Sequence, residues 1–433
     1  MGFLDHRDTH DHREGEHPDK FSAEPPRRVY ARVDRCDTRD DGGSRILYDS
    51  IDADWFDEVG ERIRWLGDAE IGPEVGEQIS VVEEERAPGE LAKDFEGTWA
   101  ELVFDRGGPE VQHYLNLFGA PLIRTLSDIR VVDSGTEHAL TAKTGLQHLG
   151  DADPAEIECA LAAEAFPDAA AVYDVGQGSS NALLLGGIPL VYFDLGGGAL
   201  RDTRTFPQAF TSFCDTGTPP IVLSHWDWDH WSSARRDPRL IDHTWIVPRH
   251  DDEIGAVHTK FLGELHAQRS VLVWPRDLPS IRVKGMTVSQ CTGKPRNHND
   301  SGLALIAEAN PGQEGTRMLF PGDASYRFVP GAEKKFTSVV APHHGGRTRG
   351  GQIPASDGSK PGRLVFSYGA GNSFWHPLAD VGREHAATWK KRLHTAARDA
   401  RGLGHVHLYW NESDPAATPP CGEFGCSLSC HQR

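Results

Sequence analysis

The segment His225-Trp226-Asp227-Trp228-Asp229-His230 carries four side chains able to ligate a metal, directly after the apolar run PIVLS. Imidazole and carboxylate suit divalent transition metals, and a turn that follows a strand can present them to two cations from one loop. His225 and Asp227 are expected to project to one side, with Asp229 and His230 turned toward a neighbouring ion. Clustered carboxylates with no nearby Lys need a cation to offset their repulsion. Downstream, Phe320-Pro321-Gly322-Asp323 ends a second run with a carboxylate suited to bridge two metals. Ala341-Pro342-His343-His344-Gly345-Gly346 ends a third with two imidazoles. His298, in RNHNDSGLAL, is a further candidate ligand, because consecutive antiparallel strands would bring it to the same edge as Asp323.

Such side chains need strands to hold them. From Ala169 the chain supplies short apolar runs ending in Gly- or Pro-rich turns: AAAVYDVGQG, NALLLGG, PLVYFDLGGG, PIVLSHWDWDH, HTWIVPRH, GLALIAEA, RMLFPGDA, SVVAPHHGG, RLVFSYGAGN and HVHLYW. Runs of this length with these boundaries read as buried strands. The reactive residues lie just past their C-terminal ends, where α/β folds place their sites. Between Val29 and Asp168 the texture differs. RVYARVD and TWAELVF read as strands, PAEIECALAAEAF as a helix and VVEEERAPGELAKD as a polar connection. That part shows no catalytic constellation and is expected to pack on, or partly cover, the second domain.

The ends are polar. Met1 to Arg28 reads as a solvated tail with His6, His10, His12 and His17. Near the other end, Cys421, Cys426, Cys430 and His431 offer ligands for a small structural zinc, but their spacing fits no common knuckle. The chain has 433 residues, enough for two domains and a full core. No apolar run approaches the ~20 residues of a membrane helix, and the N-terminus has no secretory signal, so the expectation is a cytoplasmic chain. The seven cysteines do not suggest a disulfide framework. A formal net charge of -19 argues against a protein that coats nucleic acid through an extended basic face. A nuclease with a local grip remains compatible with it.

HxDxDH, the strand-end GD and the HHG turn, in this order, resemble the metallo-β-lactamase superfamily. Asp174-Val175-Gly176-Gln177-Gly178, Asp194 in YFDLGGG, SHWDWDH, PGD, APHHGG and SYGAGNSFWHP are more finely similar to the hydrolase domain of ComEC-type competence proteins. The resemblance covers about Ala169 to Asn411. Two departures are Ser179-Ser180-Asn181 after DVGQG and Trp231-Ser232-Ser233 where that group has Gly-Gly. The membrane channel that accompanies the domain in the uptake protein is missing from the chain, so uptake is not carried over.

The resemblance implies an αββα sandwich over residues 169–415, preceded by an α+β region over 29–168, with tails at 1–28 and 416–433. It implies two divalent ions, zinc first and manganese second. His225, Asp227 and His298 would take one ion, Asp229, His230 and His344 the other, and Asp323 would bridge them. Asp227, where the commoner residue is His, makes the site harder and widens the choice toward manganese. His343 would face the substrate as acid or electrostatic stabiliser, His376 would be a second catalytic group, and Asp229 would serve both metal and chemistry. Arg347, Arg349 and Asn372 would bind substrate, and Asp174 and Asp194 would brace the ligand loops. Trp226, Trp228 and Trp231 alternate with the ligands and are expected to pack beneath the loop rather than stack on bases. The expected function is a two-metal phosphodiesterase or nuclease acting on nucleic acid or another phosphodiester. Rival readings are hydrolysis of a small ester, a choline phosphodiester or a lactone, and a non-catalytic module that binds a protein partner through its N-terminal region.

Overall fold

The computed structural model describes residues 25–38, 43–60, 73–87, 97–250, 253–268, 270–309, 316–358, 362–400 and 402–410. The histidines of the N-terminal tail and Cys421, Cys426, Cys430 and His431 lie outside the described residues.

Six strands, β1 (Arg28–Thr38), β2 (Ser44–Asp52), β3 (Ile79–Arg86), β4 (Trp99–Phe104), β5 (Glu110–Tyr114) and β6 (Leu122–Val131), close into a barrel in the order β1-β2-β3-β5-β6-β4. Alternation builds it: Val29, Ala31 and Val33 of β1 and Ile46 and Tyr48 of β2 fill the interior with Val82, Leu102, Val111 and Leu126. Residues on the outer face, among them Tyr30, Leu47, Ile51 and Val81, join a core shared with the rest of the chain. VVEEER, expected to be a polar connection, is instead most of β3. Two of its three acids are buried and partnered: Glu83 pairs with Arg45 at 2.9 Å and Arg201 at 3.2 Å, and Glu84 accepts from the Tyr48 hydroxyl at 2.8 Å, while Glu85 is exposed. Two short helices, Ser134–Thr141 and Pro154–Leu161, lead on to the second unit.

That unit is built on β7 (Ala169–Val172), β8 (Ser180–Leu185), β9 (Ile188–Leu195), β10 (Ile221–Val222), β11 (Trp245–Val247) and β12 (Val271–Val273), then β13 (Ser280–Val283), β14 (Met286–Gln290), β15 (Leu303–Glu308), β16 (Arg317–Phe320), β17 (Ser338–Val340), β18 (Arg363–Phe366), β19 (Lys391–His394) and β20 (Val406–Tyr409). They form two seven-stranded sheets, β12-β11-β10-β9-β8-β7-β20 and β13-β14-β15-β16-β17-β18-β19. Val172, Leu183, Phe193 and Val222 of the first meet Val288, Leu305, Phe320 and Val340 of the second in one core between the sheets. The helix Ala256–Ala267 and the barrel cover the outer face of the first sheet. The helix Ala379–Thr388 lies against the second, its His385 ring 5.8 Å from Phe366. The result is a mixed α/β fold of several sheets and few helices, in keeping with the layering expected of a metallo-β-lactamase-like chain. Among the described residues, no helix is long and apolar enough to cross a membrane.

β9 to β12 run parallel, as do β16 to β19. Their C-terminal ends, where backbone leaves the ladder, carry the residues of interest.

The barrel meets the sandwich through polar groups as well as apolar ones. Asp49 of β2 is fully buried, and both its oxygens accept from the Val257 backbone N–H at 2.9 Å. Asp34 of β1 meets His258 Nε2 at 3.2 Å, and His258 Nδ1 accepts from Trp231 Nε1 at 3.0 Å. Burial pushes the Asp49 carboxyl up to about 7; His258 opposes this and Asp34 adds to it. A carboxyl raised above its unfolded value of about 3.9 holds a proton in the native state that the unfolded chain has lost. Its contribution to stability is therefore present at acid pH and fades as pH rises through the native value. Asp49→Asn, which keeps an acceptor for Val257, is expected to flatten this dependence. Urea midpoints at constant metal concentration should show the wild type losing on the order of 2 kcal/mol relative to the variant between pH 5 and pH 8. Parallel curves would refute the assignment.

Candidate metal centre

The ligand loop begins where β10 ends. The backbone carbonyl of Asp229 accepts from Ser179 N at 2.9 Å, so the loop lies directly on the DVGQGS turn. A Cβ at Gly196 would overlap that same carbonyl, which explains why the chain needs glycine after β9. Opposite it, the turn Pro342–Gly345 after β17 has two successive left-handed residues, His343 (φ 51°) and His344 (φ 54°). Asp194, at the end of β9, is also left-handed (φ 63°). Non-glycine residues held this way cost about 1 kcal/mol or more each and persist only where surrounding packing enforces them.

Each imidazole is oriented from behind. His230 Nδ1 donates to Asp194 Oδ2 at 2.8 Å. The Ser224 hydroxyl donates to the same oxygen at 3.0 Å and lies 3.0 Å from His225 Nδ1, whose proton it can accept. His344 Nδ1 donates to the Ser367 carbonyl at 2.9 Å, from the end of β18. With all three Nδ1 atoms engaged, all three Nε2 atoms turn inward, the arrangement that partners behind a metal-ligating histidine impose.

Inward, the donors converge. Donor atoms of His225, His230 and Asp323 lie within 4.8 Å of one another, as do those of Asp229, His230 and His344. Asp323 presents Oδ1 to His230 (3.1 Å) and His344 (3.8 Å), and Oδ2 to His343 (3.7 Å) and His225 (3.9 Å). Asp227 Oδ2 is 3.2 Å from His225 Nε2. The Nε2 atoms of His225, His230 and His344 and both oxygens of Asp229 and Asp323 are buried without a hydrogen-bond partner. Buried polar atoms are rarely left so. Seven of them pointing at one place fit divalent cations, and the mixed nitrogen and oxygen set suits zinc or manganese. The two donor groups share His230, and one ring nitrogen can ligate only one ion, so a two-ion filling must divide them around it.

Burial alone would raise the Asp227 and Asp229 carboxyls. His225 and Arg35 beside Asp227, and His344 and Arg35 beside Asp229, instead hold both below the usual carboxylate range. Burial likewise works against Asp323, yet His230 and His344 keep it well below that range. The acids are thus ionised and ready to ligate. Arg35 is the unexpected member, since it comes from barrel strand β1 and is buried. Its Nη2 donates to His343 Nε2 at 2.8 Å, and its Nη1 lies 3.5 Å from Asp229 and 3.7 Å from Asp227. A guanidinium only donates, so His343 Nε2 is an acceptor here and Nδ1 carries the proton, 3.3 Å from the Arg347 carbonyl. Burial further lowers the His343 pKa. A neutral ring with its inward nitrogen accepting cannot protonate a leaving group, so this geometry does not support the acid role expected of His343.

The roles expected of His298, Asn372 and Asp174 also change. His298 stands outside both donor groups; it opens a single helical turn, His298–Ser301, and its ring stacks on His250 at 4.5 Å. Asn372 is buried and spends its amide on its own loop, donating to the Gly369 and His376 carbonyls and accepting from the Phe374 and His376 amides. It shapes that loop rather than reaching substrate. Asp174 accepts from Arg398, Gly176 N and Gly404 N, so it braces the DVGQG turn against the C-terminal segment and not a ligand. The Arg347 guanidinium pairs with Asp380 at 3.0 Å, and Arg349 Nε lies 3.8 Å from Asp300. His376 is buried with its ring 5.3 Å from His343. Trp226, Trp228 and Trp231 are buried in the core beneath the loop, leaving no face for a base. Residues not singled out from sequence are Arg35, Ser224, Ser367 and Asp300, whose Oδ1 accepts from Ser325 N and Oγ and fixes the turn after Asp323.

No protein-family profile matches this chain, and no curated protein does. Among solved structures, the chain is similar to Zn(2+)-bound PqqB from Methylobacterium extorquens, at 10% sequence identity and a TM-score of 0.32, over 52% of this chain and 97% of that one.

Proposed function

We propose that this chain is a metal-dependent hydrolase of phosphodiesters. The observation that carries the reading is the convergence of His225, Asp229, His230, Asp323 and His344, from strand ends of both sheets, with buried donor atoms lacking hydrogen-bond partners. These residues, with Asp227, would hold one or two divalent ions. When bound, the ions would supply Lewis acidity at phosphoryl oxygens and make water a nucleophile near neutral pH. The protein's part is to orient three imidazoles through Asp194, Ser224 and Ser367, to keep three carboxylates ionised, and to exclude bulk water. Water adds across one P–O ester bond, its oxygen to phosphorus and a proton to the departing alcohol, leaving a phosphomonoester. The order of motifs, which resembles ComEC-type hydrolases, supports a phosphodiester as substrate.

A second reading, a small phosphodiester in place of nucleic acid, is favoured by the approach to the centre. The cleft over Asp227 and His343 is walled by Arg32, Asp34, Arg35 and Asp37 of the barrel on one side and by Arg296, Asn297 and His298 of the sandwich on the other. Walls on two sides obstruct a rigid duplex more than a single-stranded end or a small ester. The purified chain is expected to carry zinc or manganese by elemental analysis. It should hydrolyse bis-p-nitrophenyl phosphate, lose that activity to a chelator, and cut single-stranded DNA in preference to duplex. Activity on the small ester with every oligonucleotide left intact would select the second reading. Metal-loaded protein that cleaves lactones but no phosphodiester would sink both.

A further inference from the structure

Arg35 owes its position to a fault in β1. Val29, Ala31 and Val33 point into the barrel, and strict alternation would send residue 35 the same way. Between Val33 and Arg35 the register with β2 shifts: Val33 pairs with Tyr48, Arg35 with Leu47, and Asp34 is the extra residue of a bulge. Directly opposed residues share a face. Leu47 belongs to the outer core, so the bulge turns Arg35 out of the barrel and toward the sandwich.

Once turned, the guanidinium is held on three sides. Nε pairs with Asp37 at 2.8 Å, Nη2 donates to His343, and the plane rests on the Phe374 ring at 4.4 Å. Phe374 is itself supported by Arg45, at 4.2 Å from its ring. Only Nη1 faces the carboxylates, and its distances of 3.5 and 3.7 Å exceed normal hydrogen-bond length. A fixed cation beside divalent ions is unfavourable, because the ions neutralise the carboxylates that now attract it. An anion lying between the ions and the guanidinium removes that repulsion. Arg35 also lines the cleft, with Arg32 and Asp37 on the barrel side and Arg296, His298 and His343 on the other.

We infer that Arg35 contacts a non-bridging phosphoryl oxygen of the substrate, so that the barrel contributes a catalytic residue and the active site spans both units. A phosphoryl group is the ligand chosen because its tetrahedral oxygens can face the metal donors and a guanidinium at once. This rests on the phosphodiesterase reading above.

The test compares full-length, metal-loaded wild type with Arg35→Gln and Arg35→Lys, using inorganic phosphate as the probe in calorimetry and elemental analysis for metal. Metal content should stay the same in Arg35→Gln while the phosphate Kd weakens about 10- to 100-fold, the effect of losing one charged hydrogen bond. Arg35→Lys should recover only part, since a lysine lacks the rigid fork. Should Arg35→Gln fail to fold, Phe374→Leu removes the ring under the guanidinium and should weaken phosphate binding several-fold at unchanged metal content. Unchanged phosphate affinity, with metal bound more tightly, would reduce Arg35 to a counter-ion for the carboxylates and overturn this inference alone. A wild-type chain that holds metal but binds no phosphate would overturn the substrate reading with it.

Discussion

Asp323→Ala is expected to empty most of the metal centre and lower phosphodiester turnover by about a thousand-fold or more. One carboxylate faces donors from both groups, with Oδ1 toward His230 and His344 and Oδ2 toward His225 and His343. A carboxylate that faces both donor groups cannot be removed without weakening both. Losing ion-mediated activation of water and charge stabilisation together forfeits the two largest contributions to this chemistry. Stability should change in step. A wild-type chain with metal at 100-fold its Kd gains about 2.7 kcal/mol from ligand linkage, and the variant should gain little of it. Elemental analysis and thermal melts with and without added zinc check both effects. Full metal occupancy in the variant, or a melt that still rises with zinc as in the wild type, would remove Asp323 from the centre.

The sequence made this centre readable because its ligands come in short contiguous blocks at strand ends. HWDWDH, PGD and APHHGG each follow an apolar run, and the strands predicted for those runs are present as β10, β16 and β17. Contacts made at long range left no such mark. Arg35 and His343 are 308 residues apart, and nothing in RVDRCD distinguishes a bulge from ordinary alternation. The acids of VVEEER suggested a solvated connection because their partners, Arg45, Tyr48 and Arg201, are remote in sequence. Asn372 and Asp174 carry polar groups at turn positions, and sequence could not say that backbone and Arg398 would absorb them. His298 lies near the edge expected for it, but the helical turn it opens stacks its ring on His250. β13 and β19 are half exposed and carry charged residues, so they lack the apolar pattern of a buried strand. β12 and β14 are short runs, VLV before Pro275 and MTVSQ after Gly285, and the sequence reading does not single them out.

The junction with the barrel links these observations. Asp34, the bulge residue, meets His258, which packs among Trp226, Trp228 and Trp231 of the ligand loop. The next residue, Arg35, reaches the centre itself. The same two positions of β1 therefore dock the barrel and line the cleft, so the N-terminal unit forms one wall of the candidate site.

Asp194→Asn should weaken zinc affinity about 10- to 100-fold although Asp194 touches no metal donor atom directed inward. The buried carboxylate accepts three hydrogen bonds: Ser224 N at 2.7 Å on Oδ1, and the Ser224 hydroxyl at 3.0 Å and His230 Nδ1 at 2.8 Å on Oδ2. An amide has one oxygen and one NH2. In either orientation its NH2 meets a donor, the Ser224 backbone in one case and the His230 ring in the other. If the amide faces His230, the ring is driven to the other tautomer, with its proton on Nε2, where the metal needs a lone pair. If it faces Ser224, a buried backbone N–H is left unsatisfied at the head of the ligand loop, at a cost of about 1–3 kcal/mol. Backbone strain is not the variable, because asparagine tolerates the left-handed conformation that Asp194 adopts (φ 63°). Asp194→Ala adds that strain and a small cavity, so it should be the less stable of the two variants. Competition with a chromophoric chelator measures the affinity, and urea midpoints of the metal-free proteins measure the stability. Zinc bound by Asp194→Asn as tightly as by the wild type would show that His230 is oriented by something other than this carboxylate.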